Sequence, residues 1–244
     1  AVLQFESGGE NNLKDLYETV LIETPIGKYF EKFLESQNIL AKKDGMETFQ
    51  RIFNEEDIDL ITNTVLKYWL EDFYRFCEGL GGDTATIMKE LLEFEADKRA
   101  ILVMIHTNNT ELNQIARQKE RQRLFCSFGS LYYEGIFKFA SCNDETMLKD
   151  ILSKYSRFAK MWSDAERNAG DNDIADALQF ELEKEDVRLN ALAFEGQAHL
   201  AAFYAFAKLK AVERTNIRWI AECINAGKKH EIESKLIHIF KRQQ

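Results

Sequence analysis

The sequence predicts an all-α protein without a substantial β-sheet, and three observations support that prediction. The 244 residues include a single proline, Pro25, and only 12 glycines, so few residues suit the tight turns of a strand-rich fold. Apolar residues recur at three- and four-residue steps through several long segments, which places them on one face of a helix. Apolar residues make up 45% and charged residues 30% of the chain, a balance that allows a buried core.

The first predicted helices lie near the N-terminus. Residues 13–36 carry an apolar stripe that contains Leu13, Leu16, Tyr17, Val20 and Leu21. Thr24 followed by Pro25 is typical of an N-cap and a first helical position, so a helix is predicted from Ile26 to Leu34. The polar residues 36–54 predict a loop with little helix.

Two long helices are predicted next. From Asp57 to Cys77, apolar side chains recur at helical spacing: Ile58, Ile61, Val65, Leu66, Trp69, Phe73 and Phe76. The glycine-rich residues 79–82 predict the end of this helix. Asp83 or Thr84 can cap the following helix, which is predicted from Ile87 to about Ile105.

The second half of the chain predicts two short helices and two long ones. The short helices are Tyr132–Ala140 and Asp144–Lys154, and a very polar turn follows at residues 168–173. The long helices run from Ile174 to about Glu195 and from about Gln197 through Ala226, with Gly227 as the stop. Apolar residues occupy several faces of the last helix, which predicts burial on more than one side: Leu200, Phe203, Phe206, Ala207, Val212, Ile217, Ile220, Ala221 and Ile224.

A faint internal repeat indicates that similar helical units pack side by side. Phe73-Tyr74-Arg75-Phe76 recurs as Phe203-Tyr204-Ala205-Phe206, an offset of 130 residues. Asp97-Lys98-Arg99-Ala100-Ile101 aligns with Glu213-Arg214-Thr215-Asn216-Ile217 at an offset of 116 residues.

The charge balance and hydropathy exclude several classes of protein. With 32 Lys and Arg against 41 Asp and Glu, the net charge is −9, which disfavours nucleic-acid binding and unaided binding to an anionic membrane. The longest uncharged stretch is the 12 residues between Glu195 and Lys208, well short of the roughly 20 needed to cross a bilayer. The first residues lack both Met and a positive segment, which we interpret as an internal edge of a longer chain. The four cysteines are widely spaced, and we expect reduced, buried thiols: Cys77, Cys126, Cys142 and Cys223.

Catalytic signatures are missing from the sequence. The glycines of residues 79–82 lack the dinucleotide-binding spacing and follow a predicted helix rather than a strand. No phosphate-binding loop, nucleophile elbow or zinc-protease motif occurs. The sequence therefore predicts no catalytic residue, no cofactor and no metal site.

Two groups of residues carry side-chain types that can bind metal ions. The carboxylates Glu90, Glu93, Glu95 and Asp97 could contribute to a di-metal site, but the Glu-x-x-His partners of such sites do not occur. Glu195 and His199 share a helix face, yet two ligands do not hold a metal ion. We therefore expect structural carboxylates, and ordinary surface or helix-end behaviour for the remaining histidines, His106, His230 and His238.

Aromatic and basic clusters are also interpreted as structural or solvated residues rather than as binding sites. Residues 68–76 and 203–206 could stack a ligand, but their spacing favours packing in the core. The run Arg117–Arg123 could touch phosphate or an acidic partner, but Glu120 and two glutamines dilute its charge. A solvated helix or loop is the favoured interpretation of this run.

Several longer segments resemble subunit d of the eukaryotic vacuolar-type proton-pumping ATPase. The resemblance rests on residues 23–30 (ETPIGKYF), 70–77 (LEDFYRFC), 92–100 (LEFEADKRA), 203–210 (FYAFAKLK) and 216–224 (NIRWIAECI). These matches are collinear, span residues from about 15 to 240, and look like the C-terminal two-thirds of a family chain. The Tyr132-Tyr133 pair departs from the family, which usually has proline there.

The resemblance implies an all-α fold of three related helical units arranged as a funnel. Residues 1–56 would belong to or bridge from a truncated first unit, residues 57–168 would form a second unit, and residues 169–244 would form a C-terminal unit of long helices. It also implies a non-catalytic, peripheral subunit on the cytoplasmic face of the vacuolar or endomembrane. Its partners would be the proteolipid ring of the membrane sector and the central rotor shaft, whose rotation it couples to proton transport. The contact residues for these partners are not predicted.

Two other classes stay open from the residues alone. A helical scaffold that binds peptides would call for regular repeats of about 34 to 47 residues, whereas the offsets here are longer and unequal. A helical carboxylate metalloenzyme would use the acidic residues 90–97 as ligands.

Overall fold

A computed structural model describes residues 24–36, 58–107, 118–142, 144–169 and 173–240. Regular structure in these ranges is entirely helical, which confirms the all-α prediction. The helices are α1 Gly27–Ser36, α2 Ile58–Leu80, α3 Gly82–Thr107, α4 Gln118–Arg123, α5 Glu134–Ala140, α6 Glu145–Leu152, α7 Ser156–Ala169, α8 Ile174–Glu195 and α9 Ala201–Asn225, followed by a 3₁₀ helix at Lys229–Ser234. Across the described ranges, no helix is long and apolar enough to span a bilayer.

The chain divides into two compact units, residues 1–73 and 74–244. The described part of the first unit consists of α1 and residues 58–73 of α2. The sequence-based division at residues 56/57 and 168/169, and the funnel arrangement, stay predictions.

Helix α1 begins close to the position that Thr24-Pro25 predicts. Its first turn is set by a hydrogen bond from the Gly27 amide to the Thr24 carbonyl, at 3.1 Å. Two side chains of α1 then hold α2: Lys28 Nζ and Tyr29 Oη donate to Asp72 Oδ2 at 2.8 and 2.9 Å. The stripe residues from Leu13 to Leu21 lie outside the described residues, as do residues 37–54 of the loop predicted at residues 36–54. Ser36, the first residue of that predicted loop, is the last residue of α1.

The turn between α2 and α3 is tighter than the sequence predicts. Gly81 and Gly82 adopt left-handed backbone angles, with φ of +68° and +57°, and reverse the chain within two residues. Helix α3 therefore starts at Gly82 rather than Ile87, and the Ala85 amide donates to the Gly81 carbonyl at 3.2 Å. Asp83 and Thr84 consequently lie inside the first turn instead of capping it.

Helix α7 was missed by the sequence analysis. Its buried side chains recur at helical spacing: Phe158, Met161, Trp162, Ala165 and Ala169. The short helices α5 and α6 confirm the predicted pair, and Asp144 is the N-cap of α6, accepting a hydrogen bond from the Met147 amide at 2.8 Å.

Helix α8 forms the centre of the second unit, where it packs against α3, α7 and α9. Asp173 caps its first turn by accepting from the Ala175 amide at 3.0 Å. Helix α9 starts at Ala201 rather than Gln197, because Ala198 has a φ of +60° and cannot continue a helix. Gly227, with a φ of +71°, follows the end of α9 as predicted.

The C-terminal segment is fastened along α9. The Asn216 side chain donates to the Ile237 carbonyl at 2.7 Å and accepts from the Ile237 amide at 3.2 Å. Trp219 Nε1 donates to the Ile232 carbonyl at 3.0 Å. Ile237 is thereby buried against Val187 and Leu209.

All four cysteines are buried free thiols, as the sequence predicts.

Candidate functional site

A closed ring of four alternating charges joins α3, α8 and α9. Lys98 Nζ lies 2.5 Å from Asp186 Oδ2 and 2.7 Å from Glu95 Oε2. Lys208 Nζ lies 2.9 Å from Glu95 Oε2 and 3.3 Å from Asp186 Oδ2. Two ammonium groups and two carboxylates give the ring a net charge of zero.

Opposite charges in the ring shift the pKa values of Glu95 and Lys208. Burial alone would raise the pKa of Glu95, but Lys98 and Lys208 outweigh it and hold that pKa at about 2. Burial opposes the charge on Lys208, yet Glu95 and Asp186 raise its pKa overall. Asn190 Nδ2 donates to Asp186 Oδ1 at 2.8 Å. The ring therefore holds three helices together through charges that satisfy one another.

The acidic residues 90–97 do not converge on a common point. Glu90 Oε1 lies 3.3 Å from Arg157 Nη2, and Glu93 Oε1 accepts from Tyr74 Oη at 3.2 Å. Among the described residues, no three His, Cys, Asp or Glu side chains are grouped to hold a metal ion. The contacts are those of carboxylates that fix helices in place.

Asp97 is deeply buried and fixes the bend before α5. Its carboxylate accepts from the Ser130 amide at 2.9 Å, from Ser130 Oγ at 2.5 Å and from the Leu131 amide at 3.0 Å. Gly129 has a φ of +117°, and a Cβ there would collide with this carboxylate. Burial raises the pKa of Asp97 to about 6, although the three hydrogen bonds act in the opposite direction.

Arg121 contradicts the prediction that the basic run is solvated. Its side chain is fully buried, and Nη2 donates to the carbonyls of Ala140 and Cys142 at 2.6 and 2.8 Å. These carbonyls lie at and just beyond the end of α5, where backbone acceptors have no partner within the helix. Arg123, by contrast, is exposed.

Three of the four histidines are exposed and one is partly buried. His106, His230 and His238 are exposed, as predicted. His199 is partly buried at the corner between α8 and α9, where a Cβ at Gly196 would collide with the imidazole. Glu195 is exposed.

The tyrosines of the internal repeat lie in similar surroundings. Burial and the charge of Glu93 raise the pKa of Tyr74 to about 12. Burial and the charges of Glu95 and Asp186 likewise raise the pKa of Tyr204. In both copies of the motif the tyrosine is therefore near a carboxylate of α3.

Three of the four phenylalanines of the repeat do not pack in the core as predicted, whereas Phe73 is half-buried and stacks on Trp69. Phe203 is 75% exposed and Phe206 is 53% exposed, and Phe76 is also exposed. The inner face of α9 instead carries Ala201, Ala205, Leu209 and Cys223. The small buried side chains let α9 approach its neighbours closely, and the bulky aromatic side chains lie on its exposed side. The prediction that α9 is buried on more than one side is therefore wrong.

Exposed aromatic side chains continue from α9 to neighbouring segments. The ring centroids of Phe194 and Phe206 are 6.4 Å apart, as are those of Phe194 and Phe240. All three rings are exposed, as is Phe203. Exposed apolar patches commonly mark binding surfaces, so this aromatic face is the candidate site for a partner protein. Residue spacing alone could not distinguish it from a core face.

Comparison with known proteins identifies the family. Residues 9–235 match the model of the ATP synthase (C/AC39) subunit family. The chain belongs to this family. It is 34% identical over 229 residues to V-type proton ATPase subunit d1 of Arabidopsis thaliana and 36% identical over 231 residues to V-type proton ATPase subunit d of Dictyostelium discoideum. It is 29% identical over 224 residues to V-type proton ATPase subunit d of Saccharomyces cerevisiae.

These C/AC39 relatives are longer than the chain. The matched regions cover 94%, 94% and 91% of the chain but only 59%, 58% and 57% of the plant, Dictyostelium and yeast proteins. The chain thus spans less than two-thirds of the length of the curated relatives it matches.

Proposed function

We propose that this chain acts as the d subunit of a V-type proton ATPase. In this role it is a non-catalytic, peripheral protein on the cytoplasmic face of the membrane sector, and it joins the central rotor shaft to the proteolipid ring. The observation that supports the proposal most strongly is the family match over residues 9–235, together with relatives named V-type proton ATPase subunit d in a plant, an amoeba and a fungus.

The packing of the second unit suits a mechanical role. A coupling protein must pass on rotation without deforming, and close-packed interiors transmit strain. Moving one charge against 100 mV costs about 2.3 kcal/mol, so the load on such a protein is considerable. Breaking a buried ion pair by removing one partner costs about 3–5 kcal/mol. Moving α8 away from α3 or α9 would leave buried charges of the four-charge ring without partners, so the ring opposes such movements at a cost of similar size.

Binding to the two partners tests the proposal. The full-length protein, carrying an affinity tag, is mixed separately with the detergent-solubilised proteolipid ring and with the purified rotor shaft. We expect stoichiometric recovery of each partner, and a tag attached to an unrelated helical protein serves as the control. Recovery of neither partner would contradict the proposal and favour a helical scaffold unrelated to the pump.

A further inference from the structure

The segment after α9 folds back along that helix. Residues 229–240, called the strap below, contain the 3₁₀ helix and a stretch without regular structure. The Ile232 carbonyl accepts from Trp219 Nε1, and Ile237, five residues later, is bound by Asn216, three residues earlier in α9. Because the residue numbers rise along the strap while they fall along α9, the strap runs antiparallel to the helix.

One face of α9 holds the strap. Four of its residues contact the strap or belong to the apolar cluster around Ile237, and they recur at steps of three and four residues: Leu209, Val212, Asn216 and Trp219. Leu209 and Val187 of α8 are buried together with Ile237, and Ile239 packs against this cluster. These side chains of α8 and α9 form an apolar slot that the Ile237 side chain fills.

Asn216 binds the main chain of the strap. Its side-chain amide nitrogen donates to the Ile237 carbonyl at 2.7 Å, and its side-chain oxygen accepts from the Ile237 amide at 3.2 Å. These are the two hydrogen bonds that a neighbouring antiparallel strand would make with Ile237. One side chain of α9 therefore fixes the position of the residue that fills the slot.

The strap is fastened much less firmly than the helices beneath it. All of its residues are described by the structure, and Ile237 alone among them is buried. Helix α8, by contrast, packs against α3, α7 and α9. Segments with few buried apolar contacts open at a lower free energy than the whole fold. Since α8 and α9 pack on each other without help from the strap, the strap can open while both helices stay in place.

The end of the strap contributes one ring to the aromatic face. The ring centroid of Phe240 lies 6.4 Å from that of Phe194, which in turn lies 6.4 Å from that of Phe206. An opening of the strap would take Phe240 away from these rings and uncover Val187 and Leu209. The position of the strap therefore determines whether the aromatic face is complete.

We infer that the strap opens and closes as one piece while α8 and α9 stay folded, and that Asn216 is the latch that keeps it closed. In the closed state Phe240 completes the aromatic face and Ile237 fills the slot. In the open state the face loses one ring and the slot is exposed. The inference concerns the chain itself and does not depend on a role in a pump.

Hydrogen exchange of the full-length protein, resolved to single amides, tests whether the strap opens as one piece. Two amides report on its two parts: the Glu231 amide donates to the Lys228 carbonyl at 3.0 Å, and the Ile237 amide donates to Asn216. We expect both amides to exchange through one opening, at least about tenfold faster than amides in the middle of α8 and α9, and with a weaker dependence on urea. Exchange of the strap amides only at the rate of these helices would overturn the inference.

Asn216→Ala tests the latch. The substitution removes two hydrogen bonds, so exchange should become about tenfold faster at both Glu231 and Ile237. The Glu231 amide decides the result, because its own hydrogen bond is untouched. Asn225→Ala is the matched control, since Asn225 is the exposed last residue of the same helix, and it should leave strap exchange unchanged. Faster exchange at Ile237 alone, or at neither amide, would overturn the inference.

Ile237→Asp should hold the strap open, because a carboxylate is not tolerated in the apolar slot. With p-fluorophenylalanine at position 240, we expect the ¹⁹F resonance to move to its position in the urea-unfolded protein, while circular dichroism shows that the α-helices remain. Lys229→Asp, at an exposed strap position, is the control and should leave the resonance in place. Loss of all helices in Ile237→Asp, or an unmoved resonance, would overturn the inference.

Discussion

The ammonium group of Lys98 on α3 lies 2.5 Å from the carboxylate of Asp186 on α8, and both side chains are nearly buried. Because each of these residues also belongs to the four-charge ring, neither can be removed without leaving a buried charge without its full set of partners. The pair therefore links the position of α8 directly to that of α3.

Replacing Lys98 should destabilise the protein strongly. Lys98→Met leaves Asp186 and Glu95 sharing a single ammonium group, and we expect a loss of about 3–5 kcal/mol in the free energy of unfolding. Lys210→Met is the matched control, because Lys210 pairs with Glu213 on the surface of α9, where both side chains are exposed, and the substitution should cost about 1 kcal/mol or less. Urea unfolding followed by circular dichroism measures both. Equal losses would show that the ring contributes no more than a surface pair.

Asp97 should make stability depend on pH in an unusual direction for an acid. Its pKa is about 6 in the folded state and near 3.8 in an unfolded chain, so between these values only the folded state holds the proton. The free energy of unfolding contributed by this group is therefore greatest below about pH 4 and falls as the pH rises through 6, by up to about 3 kcal/mol.

Asp97→Asn removes this titration. The difference in unfolding free energy, wild type minus variant, should fall between pH 4 and pH 6.5 when measured by urea unfolding at a series of pH values. A difference that stays constant or rises over this range would be inconsistent with a raised pKa.

Arg121 should contribute far more to the stability of the fold than Arg123 does. Arg121→Met removes the donor to the carbonyls of Ala140 and Cys142, and we expect it to cost about 2–4 kcal/mol of stability. Arg123→Met, at an exposed position two residues away, should change stability by about 0.5 kcal/mol or less. The thermal midpoints of the two variants provide the comparison, and similar midpoints would argue against a structural role for the buried guanidinium.

Glycine should have opposite effects at two alanines. Ala198 has a φ of +60°, which is costly for a residue with a Cβ, so Ala198→Gly should stabilise the protein by about 0.5–1 kcal/mol. Ala207 lies inside α9, where Ala207→Gly should cost about 1 kcal/mol. Both values follow from urea unfolding. If Ala198→Gly also destabilises, the corner between α8 and α9 does not carry the expected backbone strain.

The helices were largely predictable from apolar periodicity and from capping residues. The starts of α6 and α8 lie within one residue of the predicted positions, and the structure shows N-cap side chains there, Asp144 and Asp173. The start of α3 was misplaced because the sequence does not reveal that Gly81 and Gly82 reverse the chain so abruptly.

The candidate site was not predictable from periodicity. Apolar residues such as Phe203, Ile217 and Ile224 have the same helical spacing whether they are buried in a core or exposed on a surface. Only the position of α9 in the fold shows that these three are exposed. Arg121 was misjudged for a related reason. Its charge suggested solvent, whereas its role depends on carbonyls about 20 residues further along the chain.

The coupling role is tested most directly by ATP-driven acidification of vesicles from cells that lack the full-length protein. We predict that proton uptake, followed with a pH-sensitive dye, is lost in these vesicles and restored when the full-length protein is expressed again. Undiminished acidification in its absence would contradict the account.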